Sequence, residues 1–320
     1  MQMRSIRNFN TRYTSGVIPR FLTRGPIQDT AHLFCPSIYQ KVLLKKVRGS
    51  LGQQVNMLLR VDIRGAKNTE LLMRIETNLD SPRFYADSAG LQLLRRQRYD
   101  SLEDAANFYP MPSAAVLEDN HKRITVVSNV AHGVSPLNSG MDIALDRILN
   151  QDDGKGLGSG PDSLLLDMVP VEMRFSLLIE NIEKIGSQAY STYHTSAGHL
   201  SVQNVLYPPV ITFGSAAVPP LHAQAALPCN FQLLTVRTVA NEKKLLTIYN
   251  SGTVCNTNTT TTCSGDFKKG LISYLRALAV AKVQETNLAG TPTSSEIPVD
   301  EYTPFVEPYK FLSLLLSFSN

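Results

Sequence analysis

Apolar and polar residues alternate with a period of two in several segments, and this pattern constrains the fold more than any other feature. Leu59, Val61 and Ile63 alternate with charged residues. Such alternation is typical of antiparallel strands that bury one face and expose the other. The same alternation predicts strands at 71–76, 141–146 and 173–180, and β-rich composition adds strands at 124–128, 231–238, 245–249 and 309–319.

Turn signals separate these segments. Arg64-Gly65, Ser139-Gly140 and Ser251-Gly252 are dipeptides that favour turns between strands. Many short strands with such turns predict a mainly β chain built of antiparallel β-sandwich units. The segment 268–282 has apolar residues at helical spacing, which favours a helix.

The chain of 320 residues is long enough for more than one folding unit. Five prolines interrupt the segment 187–228, which we interpret as an irregular linker. The predicted organisation is an irregular N-terminal segment at 1–40, a first β-sandwich unit at 41–186, this linker, and a second β unit at 229–320.

Composition narrows the possible partners. The net charge is +4, and the basic cluster Arg95-Arg96-Gln97-Arg98 has no interleaved aromatic residues, so we predict a solvated strand end and no nucleic-acid partner. The longest apolar runs, such as 311–318, are far shorter than the roughly 20 residues that span a bilayer. No signal peptide is visible, because no apolar stretch follows the charged first residues.

Two cysteines, Cys255 and Cys263, flank a polar loop rich in threonine and asparagine. They are either free thiols or, in an oxidising compartment, a local disulfide, which is the pairing we predict. Asn258-Thr259-Thr260 lies inside this loop and is a glycosylation sequon. We therefore predict a Cys255–Cys263 disulfide with Asn258 glycosylated between its ends.

A series of motifs in a fixed order carries a family resemblance. The motifs are Thr77–Gly90, Asn107–Pro112, His132–Ser135, Leu145–Arg147 and Gln151–Gly158. In this order and spacing, the series resembles the C-terminal half of class II α-mannosidases, glycoside hydrolase family 38, and most of all their Golgi type. The resemblance covers roughly residues 41–319 and agrees with the predicted β-sandwich units. It implies a strand and its approach at 268–282, where the spacing favours a helix, so both assignments stay open there.

The resemblance implies a chemistry whose main parts are missing from this chain. The family hydrolyses α-mannosides with retention, using two carboxylates and a zinc ion held by two His and two Asp in an N-terminal domain. No ligand motif of that kind occurs here, so we predict no catalytic residue, no metal site and no cofactor in this chain. His194 and His199 lie in a Ser/Gly-rich stretch and are interpreted as solvated loop residues.

One contact of the family is carried over to a residue of this chain. The family has an arginine after Asp-Asp that reaches toward the catalytic pocket, and Lys155 stands in its place in Asp152-Asp153-Gly154-Lys155-Gly156. Lysine keeps the charge and loses the planar fork, so Lys155 is a candidate substrate-binding residue. The alternative is a polar turn whose aspartates cap backbone amides.

Asp87, in a different segment of the chain, is interpreted as a turn residue.

The resemblance implies a function for the region as a whole. We expect it to brace the catalytic domain, in cis or in trans, of an enzyme that acts on mannose in N-glycans, in the Golgi lumen, and to be inactive alone. The alternatives are a free-standing carbohydrate-binding or interaction module derived from such an enzyme, and a fragment of a longer gene product.

Overall fold

The computed structural model describes residues 2–5, 11–12, 20–66, 69–80, 82–148, 169–182, 191–211, 213–214, 227–239, 243–252 and 265–318. These residues form two compact units. Unit one comprises the described residues up to Pro209, and unit two comprises those from Val210 onward.

Unit one is built of strands, with one α-helix near its end. Short 3-10 helices lie at Ser50–Gln53 and Asp104–Asn107. The strands are β1 Gln2–Ser5, β2 Thr11–Arg12, β3 Arg20–Arg24, β4 Gln28–Cys35, β5 Ile38–Lys45, β6 Gln54–Val61, β7 Thr69–Glu76, β8 Arg83–Ser88, β9 Gln92–Arg96, β10 Tyr109–Met111, β11 Ala114–Glu118, β12 Lys122–Ser128, β13 His132–Leu137, β14 Gly140–Ile148, β15 Val171–Asn181 and β16 Ser191–Thr192, and the helix is α1 Ser196–Leu206.

The strands of unit one form two antiparallel sheets that face each other. Among the described residues, one sheet has the order β10-β13-β14-β7-β1-β2, and the other has the order β16-β9-β8-β11-β12-β15-β6-β5-β4-β3. Leu59 and Phe175 from the larger sheet and Met73 and Ile143 from the smaller sheet belong to one buried core. This is the predicted β-sandwich, because the apolar face of each sheet covers that of the other.

Unit two is one antiparallel sheet with a helix. Its elements are β17 Phe231–Thr238, β18 Lys244–Asn250, α2 Phe267–Ala277, β19 Val280–Thr286, β20 Ile297–Pro298, a 3-10 helix at Val299–Glu301, and β21 Phe311–Phe318. The strand order is β17-β18-β21-β19-β20. Leu271 and Leu275 of α2 pack in the same core as Leu246 and Leu314 of the sheet, so the helix is the second layer of the described part of this unit.

The segment whose assignment was open contains both elements. Helix α2 begins after Asp266, whose side chain accepts a hydrogen bond from the Lys269 backbone N–H at 3.1 Å. This N-cap satisfies one of the free donors at the start of the helix. The chain then turns at Ala279, which has a φ of 57°, and enters β19.

Two predicted boundaries differ from the structure. Residues 20–40 were predicted as part of an irregular segment, yet they form β3, β4 and the start of β5. Many of their side chains are only partly buried, so the strands carry little hydrophobic alternation. The segment 187–228, predicted as an irregular linker, contains α1, whose Val202 packs with Ala114 and Val127 of the larger sheet.

Gly140 at the start of β14 has no room for a side chain. An added Cβ would lie 2.2 Å from the backbone oxygen of Ile75 on the neighbouring strand. We expect Gly140→Ala to lower the free energy of unfolding by about 2–3 kcal/mol, because the backbone of β7 has to move. Denaturant melts measure this, and Gly214→Ala is the control because nothing lies within 4 Å of its Cβ. Equal melts for the two variants would contradict the tight pairing of β14 with β7.

Candidate functional site

The predicted substrate-binding residue lies outside the described residues. Lys155, Asp152 and Asp153 all follow β14, the described part of which ends at Ile148. Near that end, Arg147 forms an ion pair with Glu70 at 3.4 Å. The substrate-binding role of Lys155 therefore remains a prediction.

Four charged side chains form a row across the larger sheet of unit one. The strand register places Arg83 opposite Glu118, Glu118 opposite Arg123, and Arg123 opposite Glu180. The signs alternate along this row, which is favourable for directly opposed pairs on one sheet face. We call these four residues the charge row.

The centre of the charge row is buried. Arg123 is 1% exposed and Glu118 is 3% exposed, and the Arg123 Nε donates to Glu118 Oε2 at 2.6 Å. Arg123 also donates through Nη1 to the backbone oxygen of Tyr193 at 3.1 Å. Arg83 donates through Nη2 to Glu118 Oε1 at 3.2 Å. A buried ion pair of this kind needs such additional hydrogen bonds to offset the loss of water.

The end of the charge row fixes the start of helix α1. The Thr195 hydroxyl donates to Glu180 Oε2 at 2.8 Å and accepts from the Gly198 backbone N–H at 2.9 Å. Thr195 is thus the N-cap of α1, and the same hydroxyl bonds to Glu180 of the larger sheet. Burial raises the pKa of Glu180, against the opposing effects of the Thr195 hydrogen bond and the Arg123 charge.

Two histidines lie in the layer that covers the charge row. His194 and His199 are 6% and 4% exposed, so the prediction that they are solvated loop residues is wrong. Burial lowers the pKa of His194 to about 3 and that of His199 to about 4. The nearby His199 and Arg123 also lower the pKa of His194. Both imidazoles are therefore neutral at neutral pH.

The buried layer contains polar atoms without hydrogen-bond partners. These atoms are both ring nitrogens of His194 and Oε1 of Glu180. Among the described residues, no three His, Cys, Asp or Glu side chains come together in a way that could hold a metal ion. This arrangement positions α1 on the sheet. Its charged groups Glu118, Arg123 and Glu180 are closed off from solvent.

Two further groups have structural partners. The carboxylate of Asp87 accepts hydrogen bonds from the backbone N–H groups of Gly90, Ser113 and Ala114, at 2.7 to 3.0 Å, and it is 2% exposed. Asp87 was interpreted as a turn residue, yet it lies within strand β8, and only its side chain reaches the turn at Gly90. In the basic cluster, Arg98 forms an ion pair with Asp104 at 2.5 Å. The charge of Arg98 in the cluster is therefore paired with a carboxylate of the same unit.

The cysteines give a result that the sequence did not predict. Cys229 is disulfide-bonded, and Cys35 is a free thiol. The chain has four cysteines, and the other two, Cys255 and Cys263, lie outside the described residues, as does Asn258. Since Cys35 is free, we expect Cys229 to be bonded to one of those two cysteines if its bond lies within the chain. The predicted Cys255–Cys263 disulfide lies outside the described residues and stays a prediction to be tested against that pairing.

Peptide mapping under non-reducing conditions decides between the two pairings. When the chain is made in a secretory host, we expect a peptide that contains Cys229 to be joined to one that contains Cys255 or Cys263. Cys229→Ser should lower the free energy of unfolding by about 2–4 kcal/mol, because the lost bond constrains the unfolded chain. Cys35→Ser is the matched control. A free Cys229 together with a Cys255–Cys263 bond would restore the original pairing.

The sequence offered little signal for the charge row. Its four residues are brought together by strand register, and in the sequence they are scattered over about a hundred positions. Thr195 before a helix of small and apolar residues was the one local signal, because threonine is a preferred N-cap.

None of the helices in the described part of the chain is long and apolar enough to span a membrane.

Comparisons with known proteins agree with the resemblance noted in the sequence. Residues 15–155 match the family model "Glycosyl hydrolases family 38 C-terminal domain". The chain is 34% identical to "Alpha-mannosidase 2x" of Mus musculus over 239 residues, which are 70% of this chain and 20% of the relative. It is 36% identical to "Alpha-mannosidase 2" of Drosophila melanogaster over 192 residues, which are 58% of this chain and 16% of the relative. The chain thus spans about a fifth or less of the length of these relatives.

Solved structures support the fold. An α-mannosidase from Enterococcus faecalis V583 superposes with a TM-score of 0.56 at 13% sequence identity, covering 94% of this chain and 35% of that one. A glycosyl hydrolase family 38 protein from Enterococcus faecalis gives a TM-score of 0.54 at 12% identity, with 94% of this chain and 37% of that one covered. At such identities the likeness concerns the fold alone.

Proposed function

We propose, from the relationship of this chain to the C-terminal domain of glycosyl hydrolases family 38, that it is the β-rich, non-catalytic portion of an α-mannosidase II-like enzyme. In this role it braces the catalytic domain, which belongs to the same polypeptide or joins it as a partner chain. The intact enzyme acts on mannose-containing N-glycans. The portion described here is inactive alone.

An apolar sheet edge in unit one is the observation that carries the bracing role. Strand β3 is the last strand of the larger sheet among the described residues, so one side of its backbone is unpaired there. Phe21 and Leu22 on this strand are 61% and 74% exposed, and Ile27 in the following turn is 70% exposed. An unpaired strand edge with exposed apolar side chains favours association with another surface. The catalytic domain is the partner that we propose for it.

Lys155 would then act only in the intact enzyme. The family arginine that it replaces reaches toward the catalytic pocket, so Lys155 has no sugar to contact in the chain alone. We expect Lys155→Ala to change the free energy of unfolding by less than about 0.5 kcal/mol, as surface substitutions usually do. With the catalytic domain present, Lys155→Arg should raise the rate because it restores the planar fork. A large stability loss in Lys155→Ala, or an unchanged rate in Lys155→Arg, would contradict this role.

The proposed zinc site and compartment belong to the intact enzyme. Zinc is held by the catalytic part, and we place the enzyme in the Golgi lumen. This placement is consistent with the disulfide at Cys229, because disulfides persist in the secretory pathway and are rare in the cytosol.

Incubation with an activated aryl α-mannoside tests the proposed inactivity. The purified chain should release no aryl group, with or without added zinc, and its folding should be verified in the same sample by circular dichroism. A heat-unfolded sample provides the background rate. Zinc-dependent release that follows the chain through purification would contradict the proposal.

A further inference from the structure

Unit two contains a groove that the bracing role does not use. The groove has a volume of about 560 Å³ and lies between the loop after β19 and the start of β21. Thr286, Asn287 and Leu288 line one side, and Lys310 and Phe311 line the other. Pockets that hold small molecules have volumes of about 300–1,000 Å³, so this groove has room for a ligand.

A turn with an unusual backbone brings one side of the groove into place. Tyr309 has a φ of 64°, a conformation that bulky residues rarely adopt. The Lys310 backbone N–H bonds to the oxygen of Glu307 at 3.2 Å, and the Tyr309 N–H bonds to the oxygen of Asn250 at 2.7 Å. The Tyr309 ring packs on Gly252, where an added Cβ would lie 2.8 Å from ring atoms. The strained backbone conformation of Tyr309 thus lies directly before Lys310 and Phe311.

Two polar side chains at the rim of the groove, Asn287 and Lys310, are exposed and accessible to a ligand. Asn287 Oδ1 accepts from the backbone N–H groups of Ala289 and Thr291 at 3.0 and 2.9 Å, which fixes the amide orientation. No hydrogen bond among the described residues uses Asn287 Nδ2, and no ion pair among them uses Lys310. Thr286 is 9% exposed, and its hydroxyl is buried without a partner. The Thr286 hydroxyl is out of a ligand's reach, whereas the donors of Asn287 and Lys310 face solvent, where a ligand hydroxyl can replace water.

The apolar groups of the groove form a platform. The Phe311 ring is 39% exposed and lies beside the Tyr249 ring of the neighbouring strand, with 5.1 Å between the centroids. Leu288 is 55% exposed beside it. A ligand that suits this lining has an apolar face and a rim of hydroxyl groups.

The strand pairing argues against an extended peptide as the occupant. Strand β21 is paired with β18 and β19. Strand β19 is paired with β21 on one side; on the other side β20 pairs at Lys282 and Val283, and Pro292 and Thr293 cover the end near the groove through the Thr286–Pro292 bridge and the Thr293 N–H bond to Glu285 O. Neither has a free edge to which a peptide backbone could add. Recognition in this groove therefore depends on side chains and suits a ligand recognised by hydroxyl groups and C–H faces.

We infer that this groove binds a short neutral saccharide. The C–H face of one sugar ring lies on Phe311 and Leu288, and its hydroxyl groups bond to Asn287 Nδ2 and Lys310 Nζ. The site lies wholly in unit two and requires no catalytic domain, so it is independent of the bracing role.

Titration of the folded chain with mannotriose and with maltotriose tests the inference by calorimetry and by ligand-observed NMR. We expect saturable binding of at least one of the two trisaccharides. Asn287→Asp keeps the oxygen that accepts the two loop N–H groups and replaces the Nδ2 donor with an acceptor. It should weaken binding by about tenfold, because a donor to the sugar is lost.

Two further variants keep the result decisive if Asn287→Asp folds poorly. Phe311→Leu keeps an apolar side chain and loses the aromatic face, and Lys310→Met removes the ammonium group. Each should weaken binding about fivefold or more while the melting temperature stays near that of the unchanged chain. Asn120→Asp in unit one is the control, since it introduces the same charge outside the groove. The inference is overturned if neither trisaccharide saturates the folded chain, or if the folded groove variants bind as tightly as the control.

Discussion

Replacing Arg123 with methionine is expected to lower the free energy of unfolding by about 3–5 kcal/mol. The reason is the position of its partner: Glu118 is 3% exposed, so its carboxylate would stay buried without the Arg123 guanidinium and would keep only the 3.2 Å contact with Arg83. Denaturant melts of the chain measure the change. Arg147→Met is the control, because Arg147 is 56% exposed and its ion pair with Glu70 should contribute less than about 1 kcal/mol.

A double variant separates the ion pair from packing. Once Arg123 is gone, Glu118→Gln should recover part of the lost stability, because a neutral amide is less costly to bury than a carboxylate. Two results would contradict this role of the charge row: Arg123→Met and Arg147→Met lower the free energy of unfolding equally, or Glu118→Gln lowers it further in the Arg123→Met background.

Acid is expected to destabilise unit one well above the range in which carboxylates titrate. The pKa values of His194 and His199 fall from 6.5 to about 3 and about 4 on folding. Below the unfolded pKa of 6.5, the two histidines bind protons in the unfolded chain and stay neutral in the folded chain. The free energy of unfolding therefore decreases as the pH falls from about 6.5 toward 4. Each histidine contributes up to about 1.4 kcal/mol per pH unit in this window.

Glu180 acts in the opposite direction. Its pKa is raised by burial, so the stability that it contributes is present below its unfolded pKa of 4.5 and is lost as the pH rises through its folded value. The net loss between pH 7 and pH 5 is therefore expected to be smaller than the roughly 4 kcal/mol that the two histidines alone would give. Melts at pH 7, 6 and 5 measure this loss.

His194→Leu provides the comparison for the acid effect. The variant removes two buried nitrogens that have no hydrogen-bond partners, so it should not lower stability at pH 7 and should reduce the loss at pH 5. His121→Leu, at an exposed position, is the matched control. A pH profile that is the same in the His194 variant and in the unchanged chain would contradict the buried, neutral state of His194.

The alternation of residues predicted the sandwich because it reports one buried face. Leu59 and Met173 are buried as predicted, since they point between the two sheets. The rule fails in the second half of β15, where Ile179 is 55% exposed and Glu180 is 3% exposed. There the outer face is covered by Thr195 and α1, and a period of two cannot report a second cover that comes from elsewhere in the chain.

The candidate sites were less predictable because they depend on contacts between distant segments. Asn287 and Lys310 come together through the pairing of β19 with β21, and no local motif links them. Burial of His194 and His199 follows from the packing of α1, whereas their Ser/Gly-rich surroundings in the sequence suggested a loop. The family resemblance predicted the β-rich fold and gave no information on these contacts.

Mixing this chain with a catalytic partner shows whether it braces a catalytic domain. The partner is the catalytic part of an α-mannosidase II-like enzyme, truncated before the region that this chain resembles and kept in zinc-containing buffer. We expect the chain to raise its rate on an aryl α-mannoside and its melting temperature, both saturating as the chain is added.

A pair of variants ties that result to the sheet edge. The double variant Phe21→Asp with Leu22→Asp should lose the effect, because charges replace the exposed apolar side chains of β3. Phe305→Asp, which changes a side chain that is 76% exposed in unit two, should keep it. If the folded chain leaves both the rate and the melting temperature of the catalytic part unchanged at every ratio, the bracing role is contradicted.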